Sequence, residues 1–366
     1  MAEFGYAGEI LKINLSDGKT TKADTADYAR KYIGGHGIAA RLYWEMVPAE
    51  AGAYDPENCL ICASGPVAGF TRFAGFRWKI CGKTTLDNPE SFSHCNLGER
   101  WGAYLKYAGY DALAVQGKAE KPAYIFINDG KVEIRDAGKF RGMTTFDTID
   151  ALKAVVGKDS SVLTIGPAAE NLVAFSTVMT DGNSSGSGGM GTVMGSKNLK
   201  AIVVAAGDRR PKAADPDRLR KLADHVRTLR PPQKDMPSPW AIPGLTKEHA
   251  CYGCGIGCGR QMYPGKDGRQ YKSFCQAQGV YTRPVQQRYG GFNEAQLFGI
   301  QCSDGYGFDT SVMGGMTNWL GACYDRGLIN EKETGLPLSE LGTRDFIETL
   351  SKKIAFREGL LRSIYF

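Results

Sequence analysis

Cys251, Cys254 and Cys258 fall in one short run, Cys-Tyr-Gly-Cys-Gly-Ile-Gly-Cys. Such a C-x2-C-x3-C run offers three thiolates from one loop, and its three glycines let the loop fold around a compact inorganic core. A four-iron cubane takes thiolates on separate irons, so three from one loop and one from afar suit it. Tetrahedral zinc usually draws ligand pairs from two loops, and no C-x-x-C or H-x3-H partner follows here. Zinc and unligated cysteines are the competing readings. The spacing points to redox chemistry and leaves the reaction open.

Asn183–Gly195 is the longest glycine-rich segment, Asn-Ser-Ser-Gly-Ser-Gly-Gly-Met-Gly-Thr-Val-Met-Gly. Backbone N–H groups unshielded by side chains, as at Gly186, Gly188 and Gly189, form a concavity suited to phosphate. A literal G-x-G-x-x-G runs through Gly186, Gly188 and Gly191. The chain before it is hairpin-like, without the βαβ setting and later acidic residue of a dinucleotide site. A ligand-free surface loop is the plain alternative.

Single residues carry two readings each. Arg77 sits in Phe76-Arg-Trp-Lys-Ile80, either exposed on a strand or buried and holding an anion. Asn96 precedes a helical stretch and is a ready N-cap. Asp304-Gly-Tyr-Gly307-Phe-Asp309 reads as a helix end with Gly307 as left-handed cap. Its two aspartates also suit the N–H edge of a heterocycle. Cys59, Cys62, Cys81, Cys95, Cys302 and Cys323 read as core residues, with Cys59-x-x-Cys62 a redox pair in the alternative. His249, beside Glu248, is a weak candidate acid or base.

Positioning these groups requires sheets first and helices later. Glu9–Leu15 turns back through Ser16-Asp-Gly18, and Ala123–Asn128 returns through Asp129-Gly130 to Lys131–Arg135; both read as hairpins. Further strands are expected at 60–64, 76–81, 112–116, 162–165, 173–179 and 201–205, with helices at 99–108 and 145–156. After Gly207 the composition changes. A helix capped by Asp215 runs to about Leu229, Gln233–Thr246 is proline-rich loop, and helices follow at 293–306, 312–327 and 343–357. The expected class is α+β. Its expected parts are 1–207, β-rich; 208–250, a linker with one helix; and 251–366, helical and cluster-binding.

The 366 residues suffice for two or three cored domains, and 42% hydrophobic with 23% charged residues are those of an ordinary globular chain. Forty-seven glycines suggest many close backbone approaches. A scattered net charge of +6 gives no nucleic-acid footprint. No apolar stretch is long enough to span a membrane, and the first residues do not read as a signal peptide. With cysteines at ligand spacing, a reducing cytoplasm is expected.

Taken together, Gly8–Leu15, Leu105–Asp111, Gly117–Pro122, Thr164–Asn171, Val193–Ala201, the cysteine loop and the D-x-x-G-x-D segment resemble the tungsten-containing aldehyde:ferredoxin oxidoreductase family, in the family's order. The resemblance implies an N-terminal base of two β-sheets that binds pterin, and a helical remainder. It implies tungsten or molybdenum on a bis-pyranopterin, magnesium bridging the pterin phosphates, and a [4Fe-4S] cluster. Cys251, Cys254 and Cys258 match three of the four cluster ligands. Arg77 matches the arginine between pterin and cluster. Asn96, Ser184 and Ser185 match the phosphate and magnesium positions, beside Gly186, Gly188 and Gly189. Asp304, Gly307 and Asp309 match the first pterin-recognition motif.

The implied reaction oxidises aldehydes to carboxylic acids and passes electrons to ferredoxin or an iron–sulfur subunit. The chain ends before the family's second pterin motif, which carries the fourth cysteine, so the helical part is expected to be incomplete. A second chain supplying that part is an expected partner, and Cys275 or Cys302 an alternative ligand. Where relatives carry an active-site carboxylate in Gly-Pro-Glu-Tyr-Glu, this chain has Gly268-Arg-Gln-Tyr-Lys272. Catalytic residues are therefore unassigned. Ring reduction of an aromatic acyl-CoA, as in the family's benzoyl-CoA reductase branch, and a non-catalytic fragment are the alternatives.

Overall fold

The computed structural model describes residues 4–229, 241–273 and 277–359. Cys275 and much of the proline-rich 233–246 segment lie outside them. The first sheet holds β1 (Glu9–Asn14), β2 (Thr20–Asp24), β3 (Leu60–Ala63), β4 (Trp78–Thr84), β5 (Ser91–Leu97) and β6 (Tyr110–Gln116), in the order β2-β1-β6-β3-β4-β5. The second holds β7 (Ala123–Asn128), β8 (Lys131–Asp136), β9 (Ser160–Ile165), β10 (Val178–Thr180), β11 (Ser184–Gly186) and β12 (Leu199–Ala205), ordered β11-β10-β9-β12-β7-β8. Both are mixed: β1 runs parallel to β6 and β12 parallel to β7, while their other pairings are antiparallel.

Helices α1 (Ala26–Tyr32) and α2 (His36–Met46) precede β3. Next come α3 (Trp101–Tyr107), α4 (Thr145–Val156), α5 (Pro167–Glu170) and α6 (Met190–Ser196). One apolar core joins the two sheets: Ile13, Ile80 and Leu113 of the first, Ile125, Leu163 and Ile202 of the second, and Trp101 and Val193 from α3 and α6. Trp78 and Trp101 stack within it at 4.5 Å. Ile38 and Leu42 of α2 cover the first sheet's outer face, and Ile149 and Leu152 of α4 the second's. The expected α+β class with a two-sheet base is the architecture found.

The second half contributes α7 (Pro216–Thr228), α8 (Ala277–Tyr289), α9 (Glu294–Tyr306), α10 (Thr310–Asp325), α11 (Glu331–Thr334) and α12 (Arg344–Ala355). A small antiparallel sheet, β13 (Lys247–Glu248), β14 (Gln261–Pro264) and β15 (Gln270–Lys272), frames the cysteine loop. Phe346 and Leu350 of α12 share a core with Cys302 of α9 and Met313 of α10. Asp215, Asn293, Asp309 and Thr343 each cap a helix with a side-chain oxygen. Among the described residues, no helix is long and apolar enough to cross a membrane.

Two local expectations are corrected. The strand expected at 173–179 begins only at Val178; before it the backbone leaves the sheet and pairs with the later aspartate turn, Thr177 N to Gly307 O and Asp309 N to Phe175 O. Asn96 is no N-cap: it lies on β5, opposite Lys79, and α3 starts after Arg100.

Candidate redox site

The cysteine loop spans β13 to β14. Its turn is closed by Cys254 N donating to Cys251 O at 3.0 Å and Gly257 N donating to Cys254 Sγ at 3.3 Å. Gly253 and Gly257 take φ of 67° and 68°, the left-handed region that glycine adopts without strain. The loop docks on the 72–76 segment. Arg72 N donates to Gly253 O at 2.8 Å, and Phe76 meets Tyr252 edge-on at 5.5 Å. Cys251 and Cys254 are half-buried and Cys258 is exposed. Burial and Glu99 push the Cys251 thiol up, against the pull of Arg260.

Gly98 is where this loop meets the first sheet. Its N–H donates to Ser184 Oγ at 2.8 Å, and a Cβ built on it would stand 2.9 Å from Cys251 Sγ. The end of β5, the start of β11 and the cysteine loop therefore share one point. The glycine-rich segment lies flat along β5: a Cβ on Gly186 would reach Cys95 Sγ at 2.7 Å, and one on Gly188 would reach Ser93 Oγ at 2.9 Å. Close packing thus accounts for Gly186 and Gly188 in part. Gly188 and Gly189 both have positive φ, 75° and 72°.

Arg77 and Asn96 are exposed neighbours, the guanidinium donating to Asn96 O at 3.0 Å. Cys95, pushed up to about 12 by burial, also feels Lys79, Arg77 and Asp309, which puts these groups around the end of β5. Gly307 is the left-handed cap of α9 (φ 84°), and Asp309 caps α10 by accepting from Ser311 N at 2.9 Å. Asp304 is buried and bonded already: Lys272 Nζ lies 3.0 Å from its Oδ1 and donates to Ser185 Oγ at 2.7 Å. Burial pushes the Asp304 carboxyl up, and Lys272 opposes it.

Four residues of this arrangement escaped the sequence reading: Gly98, Glu99, Gly182 and Arg260. Arg260 donates to Glu99 Oε1 at 2.6 Å and to the Gly182 carbonyl. These partners are far apart in sequence, and no local pattern marks them. His249 Nε2 lies 3.4 Å from Glu99 Oε1, which gives that histidine a carboxylate partner other than the neighbouring Glu248. Cys302 sits in the helical core with its thiol pushed up to about 12 by burial. Cys59 and Cys62 are buried with raised thiols, as core residues are.

The donor set can be tested against the group it would hold. Ligands of one zinc ion stand roughly 4 Å apart, given Zn–S bonds near 2.3 Å. Among the described residues no three His, Cys, Asp or Glu side chains gather to hold one ion. A cubane spreads its thiolates over separate irons, and three thiols on one glycine-rich loop beside a buried guanidinium fit that anionic, sulfur-rich group.

Comparison with known proteins agrees with the fold and the order of these parts. Residues 10–206 match the family model "Aldehyde ferredoxin oxidoreductase, N-terminal domain", and residues 240–364 match its domains 2 and 3. The chain is 34% identical to the tungsten-containing aldehyde ferredoxin oxidoreductase of Pyrococcus horikoshii and 33% to that of Pyrococcus abyssi, over 97% of its own length and 65% of theirs. It is 32% identical, over 60% of its length and 37% of the relative's, to the WOR-like subunit of an aliphatic sulfonate oxidoreductase of Pyrococcus furiosus. In fold it is similar to a chain of the BamBC active site complex of benzoyl coenzyme A reductase in complex with 1,5 dienoyl-CoA, with TM-score 0.84 and 24% identity, covering 98% of this chain and 61% of that one. With one family model filling most of the two-sheet base and a second covering the cysteine loop and helices α8 to α12, the chain belongs to the aldehyde ferredoxin oxidoreductase family.

Proposed function

We propose that this chain forms the cofactor-binding part of a tungsten (or molybdenum) bis-pterin oxidoreductase, working in the cytoplasm. It oxidises aldehydes to carboxylic acids and passes the electrons through a [4Fe-4S] cluster to ferredoxin or an iron–sulfur subunit. The observation that carries the reading is Gly98, with Ser184 Oγ on its N–H and Cys251 Sγ against its Cα. It joins the glycine-rich cradle to the cysteine loop with no side chain between.

Cys251, Cys254 and Cys258 hold three corners of the cluster in this proposal. Asn96, Ser184 and Ser185 hold the pterin phosphates and their magnesium, with Gly186, Gly188 and Gly189 letting the backbone come close. Asp309 and the Gly307 turn face the same end of the cradle. Asp304 shares its carboxylate with Lys272, so it serves the cradle as half of an ion pair. Arg77 supplies a permanent cation at the cradle's rim. When bound, the metal–pterin group supplies the two-electron chemistry; the protein supplies binding, orientation and charge.

Lys272 favours a second reading in one respect. At the position where a carboxylate is expected, the chain carries a cation locked to Asp304, so no general base is supplied there. Reduction of an aromatic acyl-CoA ring is therefore the alternative reaction. Anaerobic purification of the full chain, with any partner that co-purifies, separates these. Tungsten or molybdenum, oxidised-pterin fluorescence and aldehyde-dependent dye reduction are expected. Turnover of aryl-CoA esters without aldehyde turnover selects the alternative, and absence of pterin rejects both.

A further inference from the structure

Arg260 is nearly buried, its side chain 8% exposed, and its guanidinium touches three separate elements. It donates to Glu99 Oε1 at 2.6 Å, between β5 and α3; to the Gly182 carbonyl, between β10 and β11; and to Cys251 Sγ at 3.7 Å. Glu99 is as buried as its partner and holds a φ of 61°, a left-handed conformation uncommon outside glycine. Backbone strain of this kind persists where surrounding contacts over-determine it, and it gathers at functional sites. Here the contacts are Arg260, His249 and the Tyr252 N–H, which reaches Glu99 Oε2 at 3.4 Å. Gly182 leaves room for this carboxylate, since a Cβ there would fall 2.8 Å from Glu99 Cδ.

We propose that Arg260, aimed by Glu99, is the positioning residue that sets the reduction potential of the iron–sulfur group held by Cys251. The inference rests on the cluster reading of the loop. A guanidinium is a delocalised cation with N–H donors in a fixed fork, so it places a positive charge at this sulfur. Reduction adds one electron to an already anionic, thiolate-bound group. No bond to carbon forms or breaks, and no proton leaves Arg260. A fixed cation with an N–H donor at a ligand sulfur favours the more negative, reduced state. Glu99 counters part of that charge and fixes the direction of the fork. Arg77 is exposed and donates to Asn96 O, whereas the guanidinium that reaches Cys251 Sγ is that of Arg260.

The test uses the full chain, loaded anaerobically with iron and sulfide and titrated with an external low-potential reductant under paramagnetic resonance detection. Arg260→Gln keeps a donor and loses the charge; the reduction equilibrium should move about tenfold toward the oxidised form, near 59 mV for one electron. Glu99→Gln should move it the opposite way, because the cation is then uncompensated. Arg260→Lys should recover part of the Arg260→Gln shift, and Glu99→Gln carries the test if Arg260→Gln does not fold. Arg269→Gln, which breaks ion pairs from the turn between β14 and β15 to Asp147 and Asp150 of α4, should leave the potential in place. In the metal-free chain, amide exchange at Tyr252 should quicken in both Glu99→Gln and Arg260→Gln. Unmoved potentials, or shifts of one sign from both partners, overturn the inference while leaving the cluster reading intact. A wild-type chain that takes up no iron overturns both.

Discussion

The Cα of Gly98 stands against the sulfur of Cys251, so close that any side chain there would collide with it at 2.9 Å. Gly98 lies just past β5 and Cys251 just past β13, 153 residues later, yet the two form one surface. The same glycine gives its N–H to Ser184. Gly98→Ala should therefore push the cysteine loop away from the cradle. We expect a loss of about 1–3 kcal/mol in stability from overpacking and reduced iron content after reconstitution. Urea unfolding and iron analysis of the same preparations check this; full iron content in the alanine variant would contradict it.

Lys272 and Asp304 form a buried pair, with side chains 6% and 3% exposed. Lys272→Met should cost about 3–5 kcal/mol, because it strands a carboxylate in the interior. The folded-state pKa of Asp304 is already raised by burial, with Lys272 opposing. Losing the lysine raises it further, so the folded state binds the proton more tightly than the unfolded state does. The penalty must then shrink as pH falls below neutral. Unfolding midpoints of variant and wild type across mildly acidic pH measure this, and a penalty independent of pH contradicts it.

Lys197 reports on the two-sheet base. Its Nζ donates to Asn58 O at 2.5 Å and to Pro56 O at 3.3 Å, and burial holds its pKa down from 10.5 to about 8. Between those values the unfolded chain binds the proton that the folded chain has released, so stability should rise with pH from about 8 to 10.5. Lys197→Met should flatten that rise. Chemical denaturation at several alkaline pH values is the measurement, and an unchanged slope in the variant counts against the assignment.

Arg77 separates a binding role from a folding role. It is exposed, so Arg77→Gln should change stability by no more than about 0.5 kcal/mol. Pterin and tungsten content should nevertheless fall. A variant that keeps its full cofactor load removes Arg77 from the proposed cradle.

How much of this was legible depended on how local each signal is. Asp129 and Gly130 both take positive φ, 45° and 79°, as the turn chemistry of that hairpin requires. Asp215 announced its helix through a cap that the structure retains. β5, paired with Trp78–Thr84, was missed because Ser-Phe-Ser-His-Cys-Asn-Leu is mostly polar and lacks the β-branched aliphatic pattern of a strand. α8 was hidden by Pro284 within it and by its weak apolar periodicity. The three cysteines proposed as cluster ligands were visible because they lie in one loop. The Glu99–Arg260 pair was not, since its members are 161 residues apart and only the folded chain brings them together.

The central claim is that the Cys251–Cys258 loop grips an iron–sulfur cluster beside the glycine-rich cradle. The most direct measurement is iron and acid-labile sulfide in the anaerobically reconstituted chain, followed by resonance spectroscopy of its reduced form. The account predicts about four irons per chain with matching sulfide, and a cluster signal that disappears in Cys251→Ser and Cys254→Ser. Tightly held zinc without sulfide, or an unchanged signal in both serine variants, would contradict it.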